Sequence, residues 1–180
     1  MVMVWKGVEI ASLSRAFLDT NGASKHARVS IAKKDLSALS DALYGSLREM
    51  AADLNTASRR GLVERFDGSI GTGSVLMPFG GKTQRTPAQS MVATLPVLPG
   101  QVTDQASVFA YAMDPDHMSM DPYTGAHAAI YSSVAKLVAA GADYKKAYLS
   151  LQEFFEKLRT EPNRWGKPFA ALLGALDAQL

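Results

Sequence analysis

The sequence predicts an α+β fold in which helices cover one face of a β-sheet. Three observations support this class. Stretches rich in β-forming residues lie between residues 69 and 113, segments with helical periodicity follow them, and Gly or Pro separates the segments. A block of strands followed by helices, and then by one more strand and helix, is typical of an α+β layer.

The chain opens with two short apolar stretches, Val2–Trp5 and Val8–Leu13, which predict a hairpin that turns at Lys6-Gly7. An isolated two-stranded hairpin is marginal in water. We therefore expect residues 1–22 to be the tail of a preceding domain, with a turn or loop at residues 19–22.

A second pattern, over residues 35–57, has helical spacing. Asp35 can cap this helix, and its apolar stripe predicts a packed face. The stripe comprises Leu36, Leu39, Leu43, Leu47, Met50 and Leu54. Residues 23–58 are thus expected to be a linker with one amphipathic helix, and residues 59–180 to form the main domain.

The elements predicted for the main domain follow in order. The predicted strands are 69–79, 91–98, 106–113 and 146–152, of which 106–113 should be buried on both faces. The predicted helices are 124–140, which should end at Gly141, then 153–158, broken by Pro162, and finally 168–180. Residues 114–122 are expected to form a loop.

Composition narrows the functional classes. The 180 residues are 47% hydrophobic and carry a formal net charge of +2, with dispersed basic residues, so no nucleic-acid partner is expected. The absence of cysteine removes disulfides and thiolate chemistry. No apolar run approaches the roughly 20 residues of a membrane span, and no signal peptide is visible. The expectation is a soluble cytoplasmic protein.

Few residues suggest chemistry by themselves. The loop that contains His117 also holds Asp114, Asp116 and Asp121, which fits either a site for a hard cation or a solvated polar loop. The stretch Gly80-Gly81-Lys82 could present backbone amides to a phosphate, although a turn within a sheet explains it equally well. Neither a P-loop nor a nucleophile motif is present.

Longer stretches resemble formylglycinamidine ribonucleotide synthase, and the likeness is closest to the long single-chain form of clostridia and related bacteria. It covers essentially the whole chain. The stretches that carry it are Arg60-Gly-Leu-Val-Glu-Arg-Phe-Asp67, Ser69-Ile-Gly-Thr-Gly-Ser-Val-Leu-Met-Pro-Phe-Gly-Gly-Lys82, Thr86-Pro-Ala-Gln-Ser-Met-Val-Ala-Thr-Leu-Pro96, Asp121-Pro-Tyr-Thr-Gly-Ala126, Phe154-Phe-Glu-Lys-Leu158 and Arg164-Trp-Gly-Lys-Pro-Phe-Ala-Ala-Leu-Leu-Gly-Ala175.

The resemblance implies a fold like the N-terminal domain of aminoimidazole ribonucleotide synthetase, with a four-stranded mixed or antiparallel sheet and helices on one face. It places residues from about Arg59 onward as the second N-terminal half of a duplicated synthase core. The implied partners are the first N-terminal half, the C-terminal halves and the glutaminase domain of the same synthase. Without them, the exposed sheet predicts a homodimer.

The same resemblance implies an ATP- and glutamine-dependent ligase of purine synthesis. The family's catalytic histidine motif is absent, so this chain alone is expected to be inactive. The second half resembles the one that, in some members of the family, holds a tightly bound structural ADP with magnesium. Our alignment places Ala112, Ser132 and Lys136 at positions that carry metal-ligand side chains in short forms, which predicts that magnesium-ADP does not bind here in the usual manner.

The candidate site residues on this interpretation are Gly80, Gly81, Lys82 and Lys136 facing phosphate, and Asp114 and Asp121 facing a metal. Two other functions stay open. One is a free-standing nucleotide-binding or oligomerisation module, and the other is a small kinase-like phosphotransferase. The latter is disfavoured because a C-terminal half that would complete its site is missing.

Overall fold

The computed structural model describes residues 1–20, 26–32, 45–65 and 73–180. The elements of the first part are β1 (Val2–Trp5), β2 (Val8–Ser12), α1 (Arg15–Asp19), α2 (Leu47–Ala52) and α3 (Arg60–Arg65). Residues 73–180 contain β3 (Ser74–Leu76), β4 (Phe79–Gly80), β5 (Thr86–Pro87), β6 (Met91–Thr94), β7 (Ala106–Phe109), α4 (Pro115–Met120), α5 (Pro122–Ala139), the 3-10 turn Tyr144–Lys146 and α6 (Pro162–Asp177). The class is therefore mixed α+β, as predicted.

The N-terminal hairpin is confirmed. Strands β1 and β2 are antiparallel, with Trp5 opposite Val8 and one irregularity after Met3. Lys6 and Gly7 both have positive φ, 48° and 79°. Two positive φ values in a two-residue loop give the turn whose twist matches that of the strands.

In the part that the structure describes, the helix predicted over residues 35–57 is present but shorter than predicted. Helix α2 covers only Leu47–Ala52 and begins at its own cap, because Ser46 Oγ accepts the Glu49 amide at 3.2 Å. Leu47 and Leu54 are 80% and 88% exposed, so these two residues do not form the packed face that we predicted. The proposed cap Asp35 lies outside the described residues.

The main sheet has three strands among the described residues, in the order β3-β6-β7, and both pairings are antiparallel. Strand β4 pairs with β5 as a separate short hairpin. The predicted fourth strand at residues 146–152 is wrong: a 3-10 turn ends at Lys146 and irregular chain follows. Strand β7 is also shorter than predicted, and Phe109 is 62% exposed, so this strand is not buried on both faces.

Three further predictions, one of a loop and two of helix positions, also need correction. Residues 114–122 are not only loop, because Asp114 caps α4 and Pro115 occupies its first turn. Residues 153–158 form no helix. Pro162 does not break a helix but begins α6, where a proline lacks only an amide that would have no helical partner. Helix α5 is confirmed and is followed by Gly141 at φ 90°.

The core lies between α5 and α6 and is made of small side chains. Its buried members are Ala126, Ile130, Ala171 and Ala175, with Met118, Phe155 and Ala178 packed against them. Glycine lets the two backbones approach: a Cβ on Gly174 would lie 2.0 Å from the Tyr123 carbonyl oxygen. This close pair is the best-packed part of the molecule and holds α5 in place.

Much of the remaining chain is open to solvent. The accessible surface is 15003 Å², whereas a compact monomer of 19.3 kDa exposes about 8,500 Å². Within the described residues no helix is both long and apolar enough to cross a membrane.

Candidate functional site

A groove of about 360 Å³ lies where the β4–β5 hairpin meets the C-terminal half of α5. It brings together three of the predicted phosphate-facing residues, Gly80, Gly81 and Lys136. The other lining residues are Leu76, Thr86, Pro87, Ala88, Gln89, Ser90, Ala139 and Ala140. Lys82, the fourth predicted residue, is exposed and does not line the groove.

The hairpin side of the groove is shaped by glycine. Gly81 has φ 80°, a conformation that side chains with a Cβ rarely adopt, and its carbonyl accepts the Gln84 amide at 3.0 Å to close the turn. A Cβ on Gly80 would meet no atom within 4 Å. The backbone at Gly80 is thus open on the side where a side chain would otherwise stand.

Lys136 supplies the positive charge. Its Nζ donates to the Tyr111 carbonyl oxygen at 2.9 Å and lies 5.4 Å from the centroid of the Tyr111 ring. An ammonium group has three donors, so this anchor occupies one donor and leaves two for a ligand. Ala112 directly follows Tyr111, so it lies near Lys136. These are two of the three positions that align with metal-ligand side chains in short forms of the family. Ser132, the third, is exposed on α5.

The groove is mostly apolar, with Ala139, Ala140 and Pro87 among its walls, although Thr86 and Ser90 also line it. A cationic head above an apolar wall is suited to a ligand that has a flat apolar part and an anionic group. Such an arrangement can bind an anion by charge.

The two predicted metal-facing carboxylates cap helices. Asp114 Oδ1 accepts the amides of Asp116 and His117 at 3.1 and 3.0 Å. Asp121 Oδ2 accepts the Thr124 amide at 3.3 Å and the Thr124 hydroxyl at 2.8 Å. They stand at opposite ends of α4, about 10 Å apart along its axis. Among the described residues, no group of three His, Asp or Glu side chains could hold a metal ion.

Sequence reasoning missed Thr124, which connects Asp121 to His117. The Thr124 hydroxyl donates to Asp121 and lies 3.1 Å from His117 Nε2. Because the carboxylate only accepts, His117 Nε2 must carry the proton and donate to the Thr124 oxygen. The signal was present in the sequence, since Asp-Pro-Tyr-Thr combines a capping residue with proline in the first helical turn.

Replacing Asp121 with alanine should lower the free energy of unfolding by about 1 kcal/mol, because it removes the cap of the longest helix. Urea denaturation followed by circular dichroism measures this change. Asp104→Ala is the matched control, since Asp104 is exposed and lies in irregular chain outside any helix. Equal stability of the two variants would contradict the capping role.

A second polar cluster joins α5 to α6. The Tyr123 hydroxyl donates to Asp177 Oδ2 at 2.9 Å, and His127 Nε2 lies 3.8 Å from the same oxygen. The hydrogen bond to Asp177 raises the pKa of Tyr123 above its ordinary value. His127 on α5 therefore lies within reach of the α6 carboxylate of Asp177.

A larger cavity, of about 450 Å³, lies against α3. Its lining includes Arg59 and Arg65, but all of it comes from the single stretch 54–65. The smaller groove is the better candidate site, because it unites residues distant in sequence and its lysine is held in position by Tyr111.

Comparison with known proteins identifies no relative of this chain: no family model, no curated protein and no solved structure matches it.

Proposed function

We propose that this chain is a non-catalytic domain of an ATP- and glutamine-dependent ligase of the formylglycinamidine ribonucleotide synthase type. Such a ligase converts formylglycinamide ribonucleotide to formylglycinamidine ribonucleotide in purine biosynthesis, in the cytoplasm. The observation that carries the proposal is the groove in which Gly80, Gly81 and Lys136 converge. In the proposal this groove holds the phosphate of an adenine nucleotide and performs no turnover.

Charge favours a site that works without magnesium. Lys136 places a cation where a metal would otherwise balance the phosphate, and a cation repels a second cation at short range. Asp114 and Asp121, the carboxylates assigned to metal, are engaged with helix amides. The proposed ligand is therefore ADP or ATP with its phosphate at Lys136, bound without a metal ion at Asp114 or Asp121.

The proposal also concerns the number of strands in the sheet. In the assembled synthase we expect a four-stranded sheet with helices on one face, and we expect residues 146–152, which form no strand in this structure, to become the fourth strand only on assembly. Two features support this arrangement. Strand β7 is at the sheet edge, and no backbone hydrogen bond joins residues 148–155 to another described residue. A crossover through α4 and α5 would suit a strand added parallel to β7.

The partners follow from the uncovered surface. The first N-terminal half, the C-terminal halves and the glutaminase domain of the synthase would cover the open sheet, where Val75, Met91, Phe109 and Tyr111 are exposed. In isolation, a second copy of this chain is expected to cover that face. The same exposed surface favours the alternative function, a free-standing nucleotide-binding or oligomerisation module.

A thermal-shift titration with ADP and ATP, each with and without magnesium, tests the proposal. A ligand that binds the native state raises the unfolding midpoint once its concentration exceeds the dissociation constant. We expect a rise of several degrees that is equal with and without magnesium, and no hydrolysis of ATP. A rise that requires magnesium, or no rise with millimolar nucleotide, would contradict it. ATP turnover by this chain alone would support the kinase-like alternative.

A further inference from the structure

Residues 26–32 lie against the N-terminal half of α6, although they are far from it in the sequence. The Ser30 amide donates to the Pro162 carbonyl oxygen at 3.1 Å. Pro162 is the first residue of α6. Because a carbonyl oxygen has two lone pairs, it can accept this bond in addition to the helical bond from Gly166. The segment is therefore tied to the helix through main-chain atoms.

The glycine at position 166 allows the segment to come this close. A Cβ there would lie 2.0 Å from the Ser30 carbonyl oxygen, 2.8 Å from the Ser30 carbonyl carbon and 3.4 Å from Ile31 Cα. Since a carbon–carbon bond is about 1.5 Å long, Gly166 Cα lies no more than about 3.5 Å from that oxygen. This separation is within reach of a Cα–H···O contact. Any other residue would place its Cβ in the space that the Ser30 carbonyl occupies.

Both main-chain polar groups of Ser30 thus contact α6, at two residues that lie four apart on one face of the helix. Gly166 is buried, whereas Val29 and Ile31 of the segment remain 43% and 48% exposed. No other amide of residues 26–32 has a backbone partner among the residues that the structure describes. The contact therefore depends on main-chain geometry and on the missing side chain at Gly166, and less on the side chains of the segment.

We propose that Pro162 and Gly166 form a main-chain docking site on α6, and that residues 26–32 of the same chain are its occupant. We call this segment the strap. The occupant is identified directly, because the strap is seated on the site. Since one residue carries the hydrogen bond, the strap can leave α6 while the core between α5 and α6 stays packed. It is a releasable connection from an early part of the chain to the α5–α6 pair, and it does not depend on the proposed ligase function.

Amide hydrogen exchange of the full chain, measured residue by residue by NMR, tests the strap. After correction for intrinsic rates, the Ser30 amide should exchange about 10-fold more slowly than the Val29 amide, because only Ser30 donates to α6. Gly166→Ala should remove this difference, since the added Cβ displaces the Ser30 carbonyl. The amide of Ala175, in the core, should keep its protection. Equal exchange of Ser30 and Val29 in the unaltered chain would overturn the inference.

Two further variants separate the docking site from general effects. Gly61→Ala makes the same change at a helical position where a Cβ meets no atom within 4 Å, so the Ser30 amide should stay slow. Ser30→Ala keeps the main chain and removes the hydroxyl, so the amide at position 30 should also stay slow. Loss of protection in Ser30→Ala would show that the side chain, and not the main chain, holds the strap. Protection that survives in Gly166→Ala would likewise overturn the inference.

Limited proteolysis gives an independent readout of release. Trypsin cleavage after Arg28, followed by mass spectrometry, should be about 10-fold faster in Gly166→Ala than in Gly61→Ala, because a protease acts on the released strap. Equal cleavage of the two variants would contradict release. Circular dichroism shows whether Gly166→Ala keeps its helices. If it does not, the comparison of Ser30 with Val29 in the unaltered chain decides the inference by itself.

Discussion

Replacing Gly174 with alanine is expected to lower the free energy of unfolding by about 2–4 kcal/mol. The added Cβ would lie 2.0 Å from the carbonyl oxygen of Tyr123 and 2.8 Å from its carbonyl carbon. Both are backbone atoms of α5 and cannot rotate away as a side chain would. The helices must separate, which loosens the core at Ala171 and Ala175.

Alanine is favoured over glycine in a helix by about 1 kcal/mol, which by itself would raise the free energy of unfolding. The loss expected from the clash at Gly174 is larger than this gain. Gly61→Ala in α3 isolates that gain, since a Cβ there meets no atom within 4 Å. Urea denaturation should thus show Gly174→Ala destabilised and Gly61→Ala unchanged or more stable. A Gly174→Ala protein as stable as Gly61→Ala would mean that α5 and α6 do not approach this closely.

The second large effect is expected on nucleotide binding. Lys136→Met keeps most of the aliphatic side chain of this groove-lining residue and removes its ammonium group. A hydrogen bond to a charged group contributes about 1.5–3 kcal/mol, so the dissociation constant for ADP should rise by about 10- to 100-fold. Isothermal titration calorimetry measures this change.

Lys145→Met is the matched control, because it removes the same charge from the 3-10 turn beyond α5, outside the groove. It should change the affinity for ADP by less than twofold. Equal weakening by both variants would show that nucleotide binding depends on overall charge and not on the groove.

The fold was predictable where local chemistry decides it. The β1–β2 turn follows from Lys6-Gly7, and the end of α5 follows from Gly141. Errors arose where one residue type serves two purposes. Pro162 was interpreted as a helix breaker although it occupies a first helical turn, and the Asp-Pro pair at residue 114 was assigned to a loop although it begins α4.

Other errors have a non-local cause. Residues 146–152 have strand-forming side chains, but a strand also needs a partner, and no described strand pairs with them. The stripe through Leu47 and Leu54 has helical spacing, yet periodicity does not reveal whether anything packs against it. These features depend on contacts that spacing along one chain does not specify.

The candidate site was partly predictable for the same reason. Gly80, Gly81 and Lys136 were each selected from the sequence, but no spacing indicates that a turn and a helix more than 50 residues apart share a groove. The anchor between Lys136 and Tyr111 was not predictable, because it joins a side chain to a backbone carbonyl. Asp114 and Asp121 were selected as metal-facing, whereas the structure shows them capping α4 and α5.

The most direct test of the central claim is an amide NMR titration of the isotope-labelled chain with ADP in the absence of magnesium. The account predicts that shift changes concentrate at Gly80, Gly81 and the Lys136 turn of α5, and that adding magnesium leaves the pattern unchanged. Shift changes around Arg59 and Arg65 instead would place the ligand in the cavity at α3. That result, or a spectrum that does not respond to millimolar ADP, would contradict a nucleotide-phosphate site in the groove.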